Sequence, residues 1–168
     1  MYDIKTIIFW IIYILWICIV TEIFAYYYHK YVSHGTYITS IHNTHKKHHN
    51  IHLDVGHESN EDFIWLLLLI IIVQLLTGLG ILSTIISDTK ASYFLIGIST
   101  SIVIFYWNWW IHCAYHQDGH WLNYYNWFQK EKEKHYIHHY DPHKNYGIAS
   151  HFCDKLMGTY VDSLSEIL

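Results

Sequence analysis

The 168-residue chain contains no arginine, a single proline and few charged residues, which make up 14% of the total. Without arginine it lacks the planar fork that binds phosphate in a bidentate way, so nucleic acid is not an expected partner. The low charge, together with 52% hydrophobic residues, excludes intrinsic disorder. The cysteines Cys18, Cys113 and Cys153 are odd in number and form no C-x-x-C pair, so neither a disulfide framework nor a zinc ribbon is indicated.

Three long apolar runs occupy about 6–28, 63–86 and 93–112. A bilayer core about 30 Å thick needs about 20 apolar residues of helix, so each run is expected to cross a membrane. The first run is too long for a signal peptide and lacks an A-x-A cleavage site. A soluble helical bundle would need more polar surface than this chain has. We therefore predict one all-α domain over residues 1–168, an integral membrane helical bundle of about three spans.

The distribution of lysine predicts how this bundle is oriented. Three spans place the polar segments 29–62 and 113–168 on one face, and these segments carry eight of the ten lysines. By the positive-inside rule that face is expected to be cytoplasmic. Three tryptophans close the third run, as in an aromatic belt at the lipid headgroups: Trp107, Trp109 and Trp110.

Histidine is abundant, at 16 residues, and ten of these fall into four short boxes. The boxes are H-K-Y-V-S-H (His29, His34), H-K-K-H-H (His45, His48, His49), H-C-A-Y-H (His112, His116) and H-Y-I-H-H (His135, His138, His139). Helical residues three and four apart share a face, so each of the last three boxes is expected to direct its imidazoles at one point. His29 and His34 are rotated by about 140° on an α-helix, so we expect a helix break there.

Ten imidazoles exceed the ligands that one metal takes, so the number favours two metals. Imidazole suits iron, zinc, copper and nickel, and the ligand type therefore does not identify the metal. No Glu-x-x-His pair is present, which argues against a ferritin-like site. Outside the boxes, His42 is ambiguous, and ordinary surface or core positions are expected for the others: His52, His57, His120, His143 and His151.

The order of the boxes resembles the fatty acid hydroxylase and sterol desaturase superfamily, membrane oxygenases with a histidine-rich dimetal centre. Residues 145–147 (N-Y-G) and 154–160 (D-K-L-M-G-T-Y) are similar to its closing N-Y-G and W-D-x-L-F-G-T-Y segments. The resemblance runs from about Glu22 to Asp162. Two departures are Cys153 in place of tryptophan and Met157 in place of phenylalanine. The first half is also similar to bacterial carotenoid hydroxylases, so the resemblance leaves the substrate class open.

The resemblance implies that the ten boxed histidines bind two iron ions, with zinc possible in purified protein, and that O2 is a co-substrate. It implies hydroxylation of a lipid, fatty acyl or sterol-like, with lipid desaturation or carotenoid hydroxylation as alternatives. No catalytic residue is expected beyond the metal ligands. Four residues are candidates to support the ligands: Glu22, Asp118, Asn145 and Asp154.

Glu22 is the acid within the first apolar run, and we hypothesise that it faces the bundle interior and supports the His29 region. Electrons are expected from a separate cytochrome-b-type or ferredoxin-type carrier, because the chain has no room for a haem or flavin domain and no G-x-G-x-x-G motif. A non-catalytic membrane metal-binding or transport protein is the alternative from another class. Such a protein would place ionisable ligands within the spans rather than at their ends.

Overall fold

The computed structural model describes residues 4–50 and 90–166, together with residues 67, 68 and 71. Across these ranges the chain is helical and contains no strand, so the all-α prediction is confirmed. The predicted second span, 63–86, lies almost entirely outside the described residues. Five α-helices occur in the described part of the chain: α1 (Ile4–Tyr28), α2 (Thr39–Asn50), α3 (Lys90–Tyr115), α4 (Asn126–Tyr140) and α5 (Phe152–Met157).

Helix α1 continues directly into a π-helical turn, His29–Ser33. By length and composition the continuous segment Ile4–Ser33 could cross a membrane, and it alone meets both criteria among the described residues. At 1.5 Å per residue its 30 residues extend about 45 Å. Isoleucines along α1 are exposed, for example Ile4 at 64% and Ile12 at 61%. An apolar surface of this length is typical of contact with lipid.

The predicted third span, 93–112, lies within the 26-residue helix α3. Helix α1 packs against α3 and, near its carboxyl end, against α5. The helical prediction for this run is therefore confirmed, whereas the number of spans stays a prediction.

Two buried clusters hold the polar end of the molecule together. One joins the end of α3 to the start of α4 and contains Ile111, Ala114, Tyr115, Leu122 and Phe128. The other joins α1 to the carboxyl-terminal segment and contains Tyr26, Tyr146 and Cys153. Ile23 packs against this second cluster. Apolar packing thus joins the end of α3 to α4 and the end of α1 to the carboxyl-terminal segment.

The chain leaves α4 at a point that its sequence specifies. Asp141 precedes Pro142, and a residue before a proline avoids the α region. Asp141 accordingly has φ −120° and ψ 98°, and the helix ends there. The loop that follows, 141–151, runs back beside α4 before α5 begins. Helix α5 then ends at Gly158, whose φ of 71° is the left-handed cap conformation that glycine adopts without strain.

The two departures in the carboxyl-terminal motif have different environments. Cys153 is 1% exposed and packs with Tyr26 and Tyr146. Met157 is 43% exposed, and its sulfur lies 3.9 Å from the Tyr27 hydroxyl, which donates to it. The thiol therefore fills a core position, whereas the thioether lies at the surface.

Candidate metal centre

All ten boxed histidines lie in two groups of five at the ends of the helices. The first cluster consists of His29, His34, His45, His49 and His138. The second cluster consists of His48, His112, His116, His135 and His139. Within each cluster one ring nitrogen from every histidine lies within 4.8 Å of all the others. The structure thus brings together every histidine singled out from the box spacing.

The expectation that each three-histidine box points at a single place is wrong. His45 and His49 enter the first cluster, whereas His48, between them in the chain, enters the second. Likewise His135 and His139 share the second cluster, and His138 lies in the first. Residues four apart differ by about 40° around an α-helix, whereas adjacent residues differ by about 100°. Each three-histidine box therefore contributes to both clusters, whereas each two-histidine box contributes to one.

His29 and His34 converge through a π turn, at the point where α1 ends. The amide of His34 donates to the His29 carbonyl over 3.1 Å, an i to i+5 bond, and their ring centroids lie 5.1 Å apart. The wider turn brings residues five apart onto one face. Gly35 follows directly, and a Cβ there would lie 1.9 Å from the Tyr31 carbonyl oxygen. Only glycine fits at this position.

The spacing of the ring nitrogens agrees with shared coordination of a cation. The Nε2–Nε2 separations are His29–His45 3.1 Å, His34–His45 3.0 Å, His45–His49 3.1 Å, His34–His138 3.1 Å, His48–His112 3.2 Å, His112–His116 3.4 Å, His116–His135 2.8 Å and His135–His139 3.0 Å. Metal–imidazole bonds of about 2.0–2.1 Å would hold neighbouring nitrogens about 3 Å apart at right angles and about 3.4 Å apart at tetrahedral angles. Hydrogen bonds alone do not explain these distances. An Nε2 atom has either one proton or one lone pair and so forms one such bond, whereas His45 Nε2 lies within 3.1 Å of three other Nε2 atoms.

Two backbone carbonyls fix the orientation of two rings in the first cluster. The Tyr146 carbonyl lies 2.6 Å from His29 Nδ1, and the Lys144 carbonyl lies 2.6 Å from His138 Nδ1. A carbonyl can only accept, so each Nδ1 carries the proton, and the Nε2 atom of the neutral ring has its lone pair free to bind a metal. This arrangement is the usual support for histidine ligands.

The clusters disfavour protonation of their own rings. Burial first, and then the neighbouring imidazoles, hold the pKa values of His45, His135 and His138 well below the usual value of 6.5. The same causes lower the pKa of His34 to about 2. A metal requires neutral imidazole, so the site keeps its ligands in the binding form.

The loop that supplies both carbonyls is itself held by two buried side chains. The Asn145 amide donates to the carbonyls of Lys134 and Val161, and its oxygen accepts from the Val161 amide. Asp154 accepts from the Tyr146 amide over 2.8 Å and the Gly147 amide over 2.7 Å. Both predicted supporting residues thus act on the backbone beside the ligands rather than on the imidazoles.

The other two predicted supporting residues lie elsewhere. Glu22 is half-buried in α1, and its carboxylate lies close to the Ser150 side chain and His151, at the carboxyl-terminal segment. Asp118 is exposed at the surface, and its carboxylate lies 3.7 Å from Lys132 Nζ. These positions do not place either acid next to a clustered ring nitrogen.

The box pattern did not identify several residues beside the clusters. The Tyr146 ring lies 5.8 Å from the His29 ring, 5.7 Å from His34 and 5.6 Å from His138. The N-Y-G motif was the available signal for it. His151, expected to be an ordinary histidine, lies between two carboxylates.

The remaining unboxed histidines are placed as follows. His120 accepts from the Leu122 amide at the start of a short 3-10 turn, Trp121–Tyr124, and His143 is exposed. His42 is half-buried on α2 and belongs to neither cluster. His52 and His57 lie outside the described residues.

Comparison with known families agrees with these features. The family described as fatty acid hydroxylase matches residues 14–159, a range that contains both histidine clusters and the N-Y-G loop. A search of curated proteins and a search of solved structures each gave no match. The matched range is most of the chain. The chain therefore belongs to the fatty acid hydroxylase family, a membrane-associated family of oxidoreductases.

Proposed function

We propose that this chain hydroxylates a lipid, fatty acyl or sterol-like, with O2 at a histidine-bound di-iron centre. The observation that carries the proposal is the presence of two adjoining five-imidazole clusters in a fatty acid hydroxylase chain. The rings of His49 and His139, one from each cluster, have centroids 4.4 Å apart. Two metals held by these clusters would therefore act on one substrate carbon.

The first cluster would hold one iron ion and the second cluster the other. Iron is favoured over zinc because cleavage of an unactivated C–H bond with O2 requires a redox-active metal, and zinc is redox-inert. When bound, the iron pair would activate O2, which by itself reacts too slowly with an unactivated C–H bond. Purified protein can hold zinc instead, because imidazole binds both metals.

The chain's own residues keep the ligands ready. Burial keeps the imidazoles neutral, and the carbonyls of Tyr146 and Lys144 hold the rings of His29 and His138 by their Nδ1 protons. The ligands then need little reorientation when metal binds, which is the advantage of a preorganised site.

A lipid substrate agrees with the location of the clusters at helix ends. His29 directly follows the apolar helix α1, and His112 and His116 lie at the end of α3. An acyl chain lying along these helices could bring one carbon to the clusters without a water-filled pocket. We propose that this face is cytoplasmic, where a separate cytochrome-b-type or ferredoxin-type carrier would donate electrons.

The test is expression in a host whose lipids are known, followed by mass spectrometry of the extracted lipids. The proposal expects a lipid that gains one oxygen atom, and no such product with the ligand variant His138→Ala. His143→Gln is the matched control, because His143 is an exposed histidine of the neighbouring loop, and it should retain the product.

Other outcomes separate the alternatives. Loss of two hydrogen atoms from a lipid would indicate a desaturase, and oxygen added to a carotenoid would indicate a carotenoid hydroxylase. Metal-loaded protein that changes no lipid when supplied with either class of electron carrier would favour a non-catalytic metal-binding protein.

A further inference from the structure

A buried histidine outside both clusters lies between two acids. His151 is 7% exposed; its Nδ1 atom lies 3.2 Å from Asp154 Oδ2, and its Nε2 atom lies 3.1 Å from Glu131 Oε2. The second distance is a close charge contact rather than a linear hydrogen bond. Because a carboxylate faces each ring nitrogen, His151 has no lone pair directed at a metal.

The charged forms of His151, Asp154 and Glu131 stabilise one another. Burial opposes the charged form of His151, but its contacts with Asp154 and Glu131 outweigh that cost and raise its pKa. The contact with His151, opposed by burial and aided by Lys134, lowers the pKa of Glu131 to about 2. A buried charge is tolerated when it is paired in this way, and removing one partner is costly.

Asp154 connects His151 to the loop beside the first cluster. It is fully buried, and its carboxylate accepts from the amides of Tyr146 and Gly147 as well as from the Thr159 hydroxyl. The carbonyl of Tyr146 is the acceptor for His29 Nδ1. Asp154 and Tyr146 therefore connect the His151 ring to the His29 ring of the first cluster.

Glu131 connects His151 to the helix that carries the last box. It lies on α4 one turn before His135, and its other oxygen lies 2.6 Å from Lys134 Nζ. The carbonyl of Lys134 accepts from the Asn145 amide, so α4 holds the same loop from its other side. The loop is therefore joined to α4 by two contacts, that of His151 with Glu131 and that of Asn145 with Lys134.

We propose that His151 is a positioning residue for the first cluster, tying the Tyr146 backbone to α4 through Asp154 and Glu131 and so holding the His29 ring in its metal-binding orientation. The inference rests on the proposed function, because it requires that the clusters hold metal. The paired carbonyl–imidazole bonds involve His29 and His138, both of the first cluster. His151 should accordingly affect the first site and leave the second unchanged.

The experiment measures metal content and its release to a chelator, with iron or cobalt as the added metal, for the full chain in detergent. His151→Gln and Glu131→Gln are the test variants. His143→Gln and Glu133→Gln are their matched controls, because both side chains are exposed on the same loop and helix. Ligand variants His45→Ala and His116→Ala assign the release phases to the first and second clusters. Helix content and thermal unfolding are measured on every sample.

The expected result is release from the first site that is about 10-fold faster or more, with the second phase and helix content unchanged. The double variant His151→Gln/Glu131→Gln should accelerate metal release by less than the combined effects of the two single variants. Both substitutions break the same contact, that between His151 and Glu131. Unchanged release in both test variants, or equal acceleration of both phases, would overturn the role of His151. If the wild-type chain does not bind two equivalents of metal, the proposed function itself fails. That outcome is distinct from those that overturn the role of His151, in which the wild type still binds both equivalents.

Discussion

His48 and His49 are adjacent in the chain, yet their ring nitrogens lie in different clusters. His48 Nε2 is 3.2 Å from His112 Nε2, and His49 Nε2 is 3.1 Å from His45 Nε2. Helix α2 therefore lies between the two clusters and supplies both of them. Substitutions of His48 and His49 should therefore affect different clusters, although the two residues are adjacent.

Alanine at each of these two positions should weaken a different metal site. His48→Ala is expected to reduce the second metal equivalent and His49→Ala the first, since each variant removes one of five ligands. A loss of more than about 10-fold in affinity at the affected site is expected, since removing even a partner that supports a ligand costs about 10–100-fold. Metal analysis after stepwise chelation measures this, with Lys47→Ala, an exposed residue of the same helix, as the control. Loss of the same equivalent in both variants would contradict the assignment.

Asn145 should be important for stability as well as for the site. Asn145→Ala removes three buried hydrogen bonds to the backbone, at about 1 kcal/mol each, so the free energy of unfolding should fall by about 3 kcal/mol. Asn145 also has a φ of 48°, which alanine adopts at a cost. Asn145→Gly removes the same bonds without that strain and should be the milder change. Equal stability of wild type and both variants in thermal unfolding would contradict this account.

Gly147 should not tolerate a side chain. A Cβ there would lie 2.0 Å from the Ser150 carbonyl oxygen and 2.8 Å from Asp154 Oδ2, so Gly147→Ala must move the loop. We expect destabilisation of about 1–3 kcal/mol, the usual cost of overpacking, and weaker metal binding at the first cluster. Gly119→Ala is the matched control, because a Cβ there meets nothing within 4 Å. Denaturant unfolding and metal analysis of both variants check the prediction, which fails if they behave alike.

Acid should destabilise the metal-free protein. The pKa of His34 is about 2 in the folded chain and about 6.5 when unfolded, so between these values the unfolded state binds more protons. Stability is therefore fully present above about pH 6.5 and declines as the pH falls. The raised pKa of His151 acts in the opposite direction, but several histidines share the sign of His34: His45, His48, His135 and His138.

Thermal unfolding after chelation, at pH values from about 7.5 to 5.5, measures this effect. The midpoint should fall with pH, and His45→Gln should flatten the dependence because it removes one of the titrating groups. Lys47→Gln, an exposed substitution on helix α2, should leave the dependence as in wild type. A midpoint that is constant or rises on acidification would contradict neutral buried histidines.

Much of the fold and site could be predicted because the signals are local. The apolar run of α1 and the spacing of the boxes depend on helix periodicity alone, and the structure contains the corresponding helices and converging histidines. The division of each three-histidine box between two clusters depends on where neighbouring helices pack, which periodicity does not contain. The pairing of His151 with Glu131 joins residues 20 apart through a loop whose path follows from Pro142 and Asn145.

The π turn at His29–Ser33 has an effect beyond the two histidines that it joins. One additional residue in a helical turn rotates everything beyond it relative to what came before. The π turn therefore sets how the residues that follow it are rotated relative to the faces of α1. An uninterrupted α-helix would instead direct the rings of His29 and His34 about 140° apart.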